Sequence, residues 1–242
     1  MPTFATGQPA PQEFESFAVK VCGVKSTDDV EMVAASAREF AAQTSAVAVG
    51  INLYPPSKRY VNQETAAELA AAARASQLTV VAVTVDHDLS TLEDMASAGT
   101  YDIVQLHGNE APSTAQRLME HNQRVLRAVR LPIGEISVEQ IDAAVSPWMA
   151  VGCGILLDAQ VAGFGGAGES LDWNTIGHWA QQRRIPFVLA GGLNDQNAED
   201  AIRHSGASAI DAASGTEQPK GRKSLVRIKR FVQIGLAQTS RN

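Results

Sequence analysis

The chain has 242 residues, 45% hydrophobic and 19% charged, with a formal net charge of −6. That length suits one large domain or two small ones, and the apolar content is enough for a proper core. The acidic balance favours neither nucleic acid nor a membrane surface, and no apolar run approaches the roughly 20 residues that span a bilayer.

Cysteine and histidine usage narrows the class further. Only Cys22 and Cys153 carry thiols, and the five histidines are scattered. Neither a disulfide framework nor metal-ligand spacing follows from that pattern. A reduced, cytoplasmic protein with no metal is expected. The N-terminus shows no charged start followed by an apolar stretch, which argues against secretion.

Residues 1–16, with Gly7, Pro9 and Pro11, read as a flexible N-terminal extension, and 17–242 as one folded domain. Within it, short β-branched runs alternate with Ala-rich or Glu-rich amphipathic segments. Strands are predicted at 17–22, 46–51, 78–83, 102–106, 125–129, 153–157, 186–190 and 208–211. Helices are predicted at 28–42, 63–75, 89–98, 112–121, 137–144, 173–182, 195–204 and 223–236. Thr27 before Asp28, Asn62 before Glu64 and Asn194 before Asp195 read as helix starts. The fifth strand leaves through an odd connection, Leu131-Pro132-Ile133-Gly134.

Eight β-then-α units result. Strands apolar on both faces are buried on both sides, as in a parallel sheet flanked by helices. Eight such units over this length point to α/β architecture, a single closed (β/α)8 TIM barrel, over an open doubly wound sheet. No GxGxxG follows the first strand, so the dinucleotide-binding alternative lacks its signature. In such barrels chemistry sits where strands end and βα loops begin.

Taken in order, the strand tips carry these groups. The first offers Cys22, either a small buried hydrophobe or a polarised thiolate. The second offers Arg59 in a loop stiffened by Pro55 and Pro56, either a solvated cation or a fork for a carboxylate. The fourth offers Gln105 and His107 on one face, beside Gly108. The sixth ends on Asp158, a carboxylate too costly to bury unpaired, followed by the glycine-rich run 163–168, either a lid or a plain connection. The seventh and eighth offer Gly191-Gly192 and, after Asp211, Ser214-Gly215. Exposed backbone N–H groups there favour a phosphate over simple turns, because barrels often hold phosphate after these strands.

These pieces, in this order, resemble the phosphoribosylanthranilate isomerase family, (β/α)8 enzymes of tryptophan biosynthesis. The runs concerned are Lys20-Val21-Cys22-Gly23-Val24, Ser57-Lys58-Arg59-Tyr60-Val61, Val104-Gln105-Leu106-His107-Gly108, Leu156-Leu157-Asp158, Gly165-Gly166-Ala167-Gly168 with Leu171-Asp172-Trp173, Leu189-Ala190-Gly191-Gly192-Leu193-Asn194, and Asp211 with Ser214-Gly215. The resemblance implies a cofactor-free Amadori rearrangement of a small phosphoribosyl substrate. It implies Asp158 as general acid and Cys22 as general base. It also implies Arg59 toward an anthranilate carboxylate, Asp211 near the sugar hydroxyls, Gln105 and His107 as further substrate-binding residues, and phosphate at Gly191, Gly192, Ser214 and Gly215. Such roles need the Asp158 acid raised and the Cys22 thiol lowered toward neutral pH, with Lys20 and Arg59 as candidate positive neighbours.

Departures from the family pattern touch neither the proposed acid nor the proposed base. The run Gly50-Ile51-Asn52-Leu53-Tyr54 stands where Phe-rich residues are usual, and Ala213 where a second serine is usual. Ala167, Leu171, Lys220 and Ser224 also differ from the common residues. Two other readings remain open. One is a histidine-pathway or dual-substrate isomerase, whose first strand tip carries a carboxylate where this chain has Cys22. The other is a phosphometabolite-binding barrel without turnover. No nucleic-acid or membrane partner is expected, and a monomer is.

Overall fold

The computed structural model describes residues 17–160 and 171–239. Eight strands and eight helices alternate: β1 (Val19–Cys22), α1 (Thr27–Phe40), β2 (Val47–Asn52), α2 (Gln63–Ala75), β3 (Thr79–Thr84), α3 (Leu89–Ala98), β4 (Ile103–Leu106), α4 (Pro112–Glu120), β5 (Arg124–Leu131), α5 (Val138–Val151), β6 (Gly154–Ala159), α6 (Trp173–Arg183), β7 (Val188–Leu189), α7 (Ala198–Ser205), β8 (Ala209–Ala212) and α8 (Leu225–Thr239). Each strand pairs in parallel with the next, and β8 returns to β1, so the sheet is a closed barrel. The expected (β/α)8 architecture is therefore present. No described helix is long and apolar enough to cross a membrane.

Two apolar layers hold the barrel. Side chains alternate along a strand, so odd and even positions face opposite sides. One cluster, including Ala48, Val81, Ile103, Leu126, Ala128, Leu156, Val188 and Ala209, fills the interior. The other side of the same strands, including Val19, Val21, Val49, Ile51, Val80 and Ile155, packs on the helices. This parity decides where the polar residues go. Lys20 and Cys22 alternate with outward-facing Val19 and Val21, and so face in. Gln105 lies two residues beyond Ile103, Asp158 two beyond Leu156, and Asp211 two beyond Ala209. The interior is apolar toward the amino ends of the strands and polar toward their carboxyl ends.

Several boundaries differ from the sequence expectation. Ser26, not Thr27, caps α1; its hydroxyl accepts from Asp29 N–H, and Thr27 is already helical. Asn62 does cap α2. Helix α5 runs to Val151, past its expected end at 144 and through Pro147, because Ile141, Val145 and Trp148 continue one buried stripe. Helix α7 starts at Ala198, not 195: the Asn194 side chain accepts from Gln196 N–H and shapes the preceding turn instead of capping the helix. Helix α8 begins at Leu225, which leaves Lys223 in the connection before it.

Candidate active site

The floor of the site is a buried ion pair. Lys20 on β1 and Asp211 on β8 stand opposite each other in register. Lys20 is wholly buried, and its Nζ donates to Asp211 Oδ2 at 2.5 Å. Asp211 Oδ1 is buried and has no partner among the described residues. One turn of the strand above, Cys22 ends β1, opposite Gly50 of β2. A Cβ at Gly50 would lie 2.8 Å from Cys22 Sγ and 3.1 Å from Lys20 Cε. The absent side chain is what leaves room for thiol and ammonium together.

Across the barrel, Asp158 is bound through two atoms. Its Oδ1 accepts from Ala159 N–H at 2.9 Å, and His107 Nε2 lies 3.1 Å from Oδ2. His107 Nδ1 lies 2.8 Å from Gln105 Nε2. With that amide donating to Nδ1, the ring hydrogen sits on Nε2 and is donated to Asp158. Gln105 Oε1 is buried and unpartnered among the described residues. Asp158 and His107 keep about a quarter of their side-chain surfaces open, at 23% and 26%.

A second charged cluster lies beside Cys22. Arg59, from the loop after β2, donates through Nε and Nη2 to Glu217 at 2.5 and 2.9 Å. The backbone turns at Gly23, whose φ is +77°, and a Cβ there would meet Arg59 Cδ at 2.3 Å. Arg59 thus already holds a carboxylate from its own chain. Lys223 is almost fully buried, and its Nζ donates to Cys22 O at 2.6 Å, Ala213 O at 2.9 Å and Thr216 Oγ1 at 2.9 Å. Glu217 Oε1 lies 3.7 Å from the same Nζ.

The electrostatics link these groups. Burial alone would lower the Lys20 ammonium, but Asp211, Cys22 and Asp158 together hold it above its ordinary value. A thiol from β1 and a carboxylate from β6 therefore act on one ammonium. Burial pushes the Cys22 thiol up; Lys20, Lys223 and Arg59 pull it down, and Asp211 adds to the rise. The net direction is upward, contrary to the lowered thiol expected from sequence. Desolvation outweighs the three cations. Burial also lowers the Lys223 ammonium to about 8, against the charges of Glu217 and Cys22. Burial would raise Glu217, yet bonds from Arg59 and Gly221 N–H and the Lys223 charge hold it below its usual range.

The loops after β7 and β8 pack against each other. A Cβ at Gly215 would lie 1.8 Å from Leu193 O. Gly191 and Gly192 have φ of +87° and +74°. Ser214–Thr216 form a short 3₁₀ turn. Among the described residues, the backbone N–H groups of Gly191, Gly192, Ser214 and Gly215 donate to no other protein group. These four residues lie together at the carboxyl end of the barrel.

The structure thus gathers Cys22, Arg59 and Asp211 around one charged cluster, Gln105, His107 and Asp158 into one chain of contacts, and the four loop residues into a third group. Sequence reasoning missed Glu217 and Lys223. Both lie in an irregular connection, where neither strand parity nor helical period assigns a direction. The glycine-rich run 163–168 lies outside the described residues. A cavity of about 480 Å³ lies elsewhere, between β5 and α5, lined by Arg127, Arg130, Trp148 and Gln160, among others. Cys22 and Asp158 are not in its lining. Among the described residues, no group of three or more His, Cys, Asp or Glu could hold a metal ion.

Residues 19–234 match the family model described as N-(5'phosphoribosyl)anthranilate (PRA) isomerase. The chain is 34% identical over 230 residues to the N-(5'-phosphoribosyl)anthranilate isomerase of Afipia carboxidovorans, covering 93% of this chain and 92% of that one. The crystal structure of phosphoribosyl anthranilate isomerase from Thermotoga maritima superposes with a TM-score of 0.76 at 30% identity, over 90% of this chain and 98% of that one. A second isomerase structure, in complex with reduced 1-(o-carboxyphenylamino)-1-deoxyribulose 5-phosphate, superposes with a TM-score of 0.72 at 28% identity, over 90% and 98%.

Proposed function

We propose, because this chain belongs to the N-(5'-phosphoribosyl)anthranilate isomerase family, that its charged barrel mouth catalyses that family's reaction with Asp158 as acid and Cys22 as base. The chain is an aldose–ketose isomerase of tryptophan biosynthesis. The substrate is the aminoaldose N-(5'-phosphoribosyl)anthranilate and the product its open-chain aminoketose. One observation carries the residue assignment: thiol and carboxylate arrive from β1 and β6 at the same end of the barrel, above a shared buried ammonium.

The steps balance without an outside reactant. Asp158 gives its proton to the ribose ring oxygen, the bond from C1′ to that oxygen breaks, and the anilino nitrogen lone pair forms the C1′=N Schiff base. The Cys22 thiolate takes the proton from C2′, and the released electron pair forms C1′=C2′ as the imine electrons return to nitrogen. The enolamine then gains a proton at C1′ and loses one from the C2′ hydroxyl, which leaves the ketone. After the first step Asp158 is a carboxylate, and the His107 Nε2–H at 3.1 Å stabilises it there.

The anchors follow from charge. Arg59 uses Nε and Nη2 on Glu217, which aims the rest of its guanidinium at the substrate carboxylate. Gln105 Oε1 and Asp211 Oδ1, both without a protein partner, accept from sugar hydroxyls. The N–H groups of Gly191, Gly192, Ser214 and Gly215 hold the phosphate. Every group in this scheme comes from a single chain, so a second copy is not required.

The test supplies the aminoaldose to purified protein and follows the loss of its fluorescence. Cys22→Ala and Asp158→Ala are each expected to lower kcat by roughly 10²–10⁴-fold, the usual worth of one acid or base. Circular dichroism should show an unchanged fold. Full turnover in either variant would remove that residue from its role.

A further inference from the structure

Which cation works on Cys22 is decided by counting charges. Three cations, Lys20, Lys223 and Arg59, lower the thiol. Lys20 is matched at 2.5 Å by Asp211, whose charge raises the thiol again. Arg59 is matched by a two-point bond to Glu217. Glu217 also lies 3.7 Å from Lys223, but its strong bonds go to Arg59, so one carboxylate is shared by two cations. The remaining carboxylate that acts on Lys223 is Asp29, at the start of α1, whose Oδ2 accepts from Lys25 N–H. Three cations thus face three carboxylates, and Lys223 is the one of the three cations whose short hydrogen bonds all go to neutral acceptors.

The contacts of Lys223 are unusual for a lysine that faces an active site. Its three hydrogens go to Cys22 O, Ala213 O and Thr216 Oγ1, so the ammonium is saturated by neutral acceptors. One of these acceptors is the backbone of the thiol's own residue. The other two belong to the connection after β8 that contains Ser214 and Gly215. The lysine therefore ties the end of β1 to the β8 connection. Its hydrogen bonds fix where the thiol stands, and its charge favours the ionised form.

We infer that Lys223 is a positioning residue for the Cys22 base, fastening the end of β1 to the connection after β8 and placing a positive charge beside the thiol. This rests on the reading of Cys22 as the base. It goes beyond that reading by naming what activates the thiol and what locks it to the β8 connection. Burial brings Lys223 down to about 8, while the charges of Glu217, Cys22 and Asp29 work to keep it ionised. It also places loss of that charge just above neutral pH.

The experiment titrates Cys22 directly, without substrate. Iodoacetamide alkylation is followed against pH in a Cys153→Ala background, with mass spectrometry to locate the label. Lys223→Met is expected to slow labelling of Cys22 about tenfold at pH 7, equivalent to one unit of upward shift in its midpoint. Lys223→Arg, which keeps the charge, should stay close to the parent. Should the methionine variant fail to fold, Lys223→Gln provides the same comparison, since its amide still donates to the carbonyls. An unchanged alkylation midpoint in the Gln or Met variant would overturn the inference and leave Lys223 as a mere tether. Turnover separates the two proposals. If Cys22→Ala were fully active while Lys223→Gln still shifted the midpoint, the base assignment would fail and the electrostatic inference would stand. If Cys22→Ala were dead and the midpoint did not move, the reverse would hold.

Discussion

At the scale of single residues, the thiol is defined by what is missing opposite it. Gly50 stands in register with Cys22, and a methyl there would fall 2.8 Å from Sγ. Gly50→Ala also brings its methyl to 3.0 Å from Cys22 Cα, so it must push the sulfur and the end of β1 aside. A displacement toward 1 Å in a proton-transfer group costs up to about 10²-fold. The expected outcome is a kcat lowered by roughly 10–100-fold with KM little changed, read from steady-state kinetics on the aminoaldose. The sequence marked Cys22 as the residue that ends the first strand before Gly23, and left open whether it is a buried hydrophobe or a thiolate. The direction of its titration was not legible. Three nearby cations suggest a lowered thiol, yet burial wins, and burial is a property of the assembled barrel.

Elements bring together what residues alone cannot. The phosphate candidates come from two connections, and their contact depends on Gly215 lying under Leu193 O. Gly215→Ala would place a Cβ 1.8 Å from that carbonyl oxygen, so the two loops must separate. Overpacking of this kind typically costs about 1–3 kcal/mol. The N–H groups proposed to hold the phosphate would lose their common focus. The variant is expected to raise KM for the phosphorylated substrate several-fold or more. A KM equal to the parent's would show that the phosphate does not sit there. The paired glycines marked these loops in the sequence, but Glu217 and Lys223 went unread. They reach the site from irregular backbone just before α8, where no period assigns a face. Helix α7 shows the same limit: Asn194 looked like a cap and instead shapes the turn before Ala198.

Over the whole molecule, parity along eight strands is what made the architecture readable. Both faces of each strand are apolar because one packs inward and the other meets helices. The same burial sets the response to alkali. Cys153 lies at the outer layer with its thiol on Trp148 O, and burial pushes it up to about 12. A folded thiol that keeps its proton after the unfolded chain has lost it contributes stability fully present below about pH 9. That contribution declines as pH rises toward 12. Cys22 has the same sign. Urea midpoints should therefore fall as pH rises from about 9 toward 12, and Cys153→Ala should flatten that fall. A parallel decline in parent and variant would show that the thiol does not drive it.

The seam where β8 meets β1 has one more consequence. Cys22 precedes Asp211, Glu217 and Lys223, part of its charge environment, by roughly 190 to 200 residues in the chain. A nascent or truncated polypeptide that ends before residue 211 carries the sulfur without its neighbours, and that sulfur should titrate like a thiol in a short peptide. Reactivity at Cys22 thus reports whether the ring has closed, because burial raises the thiol only once β8 stands beside β1.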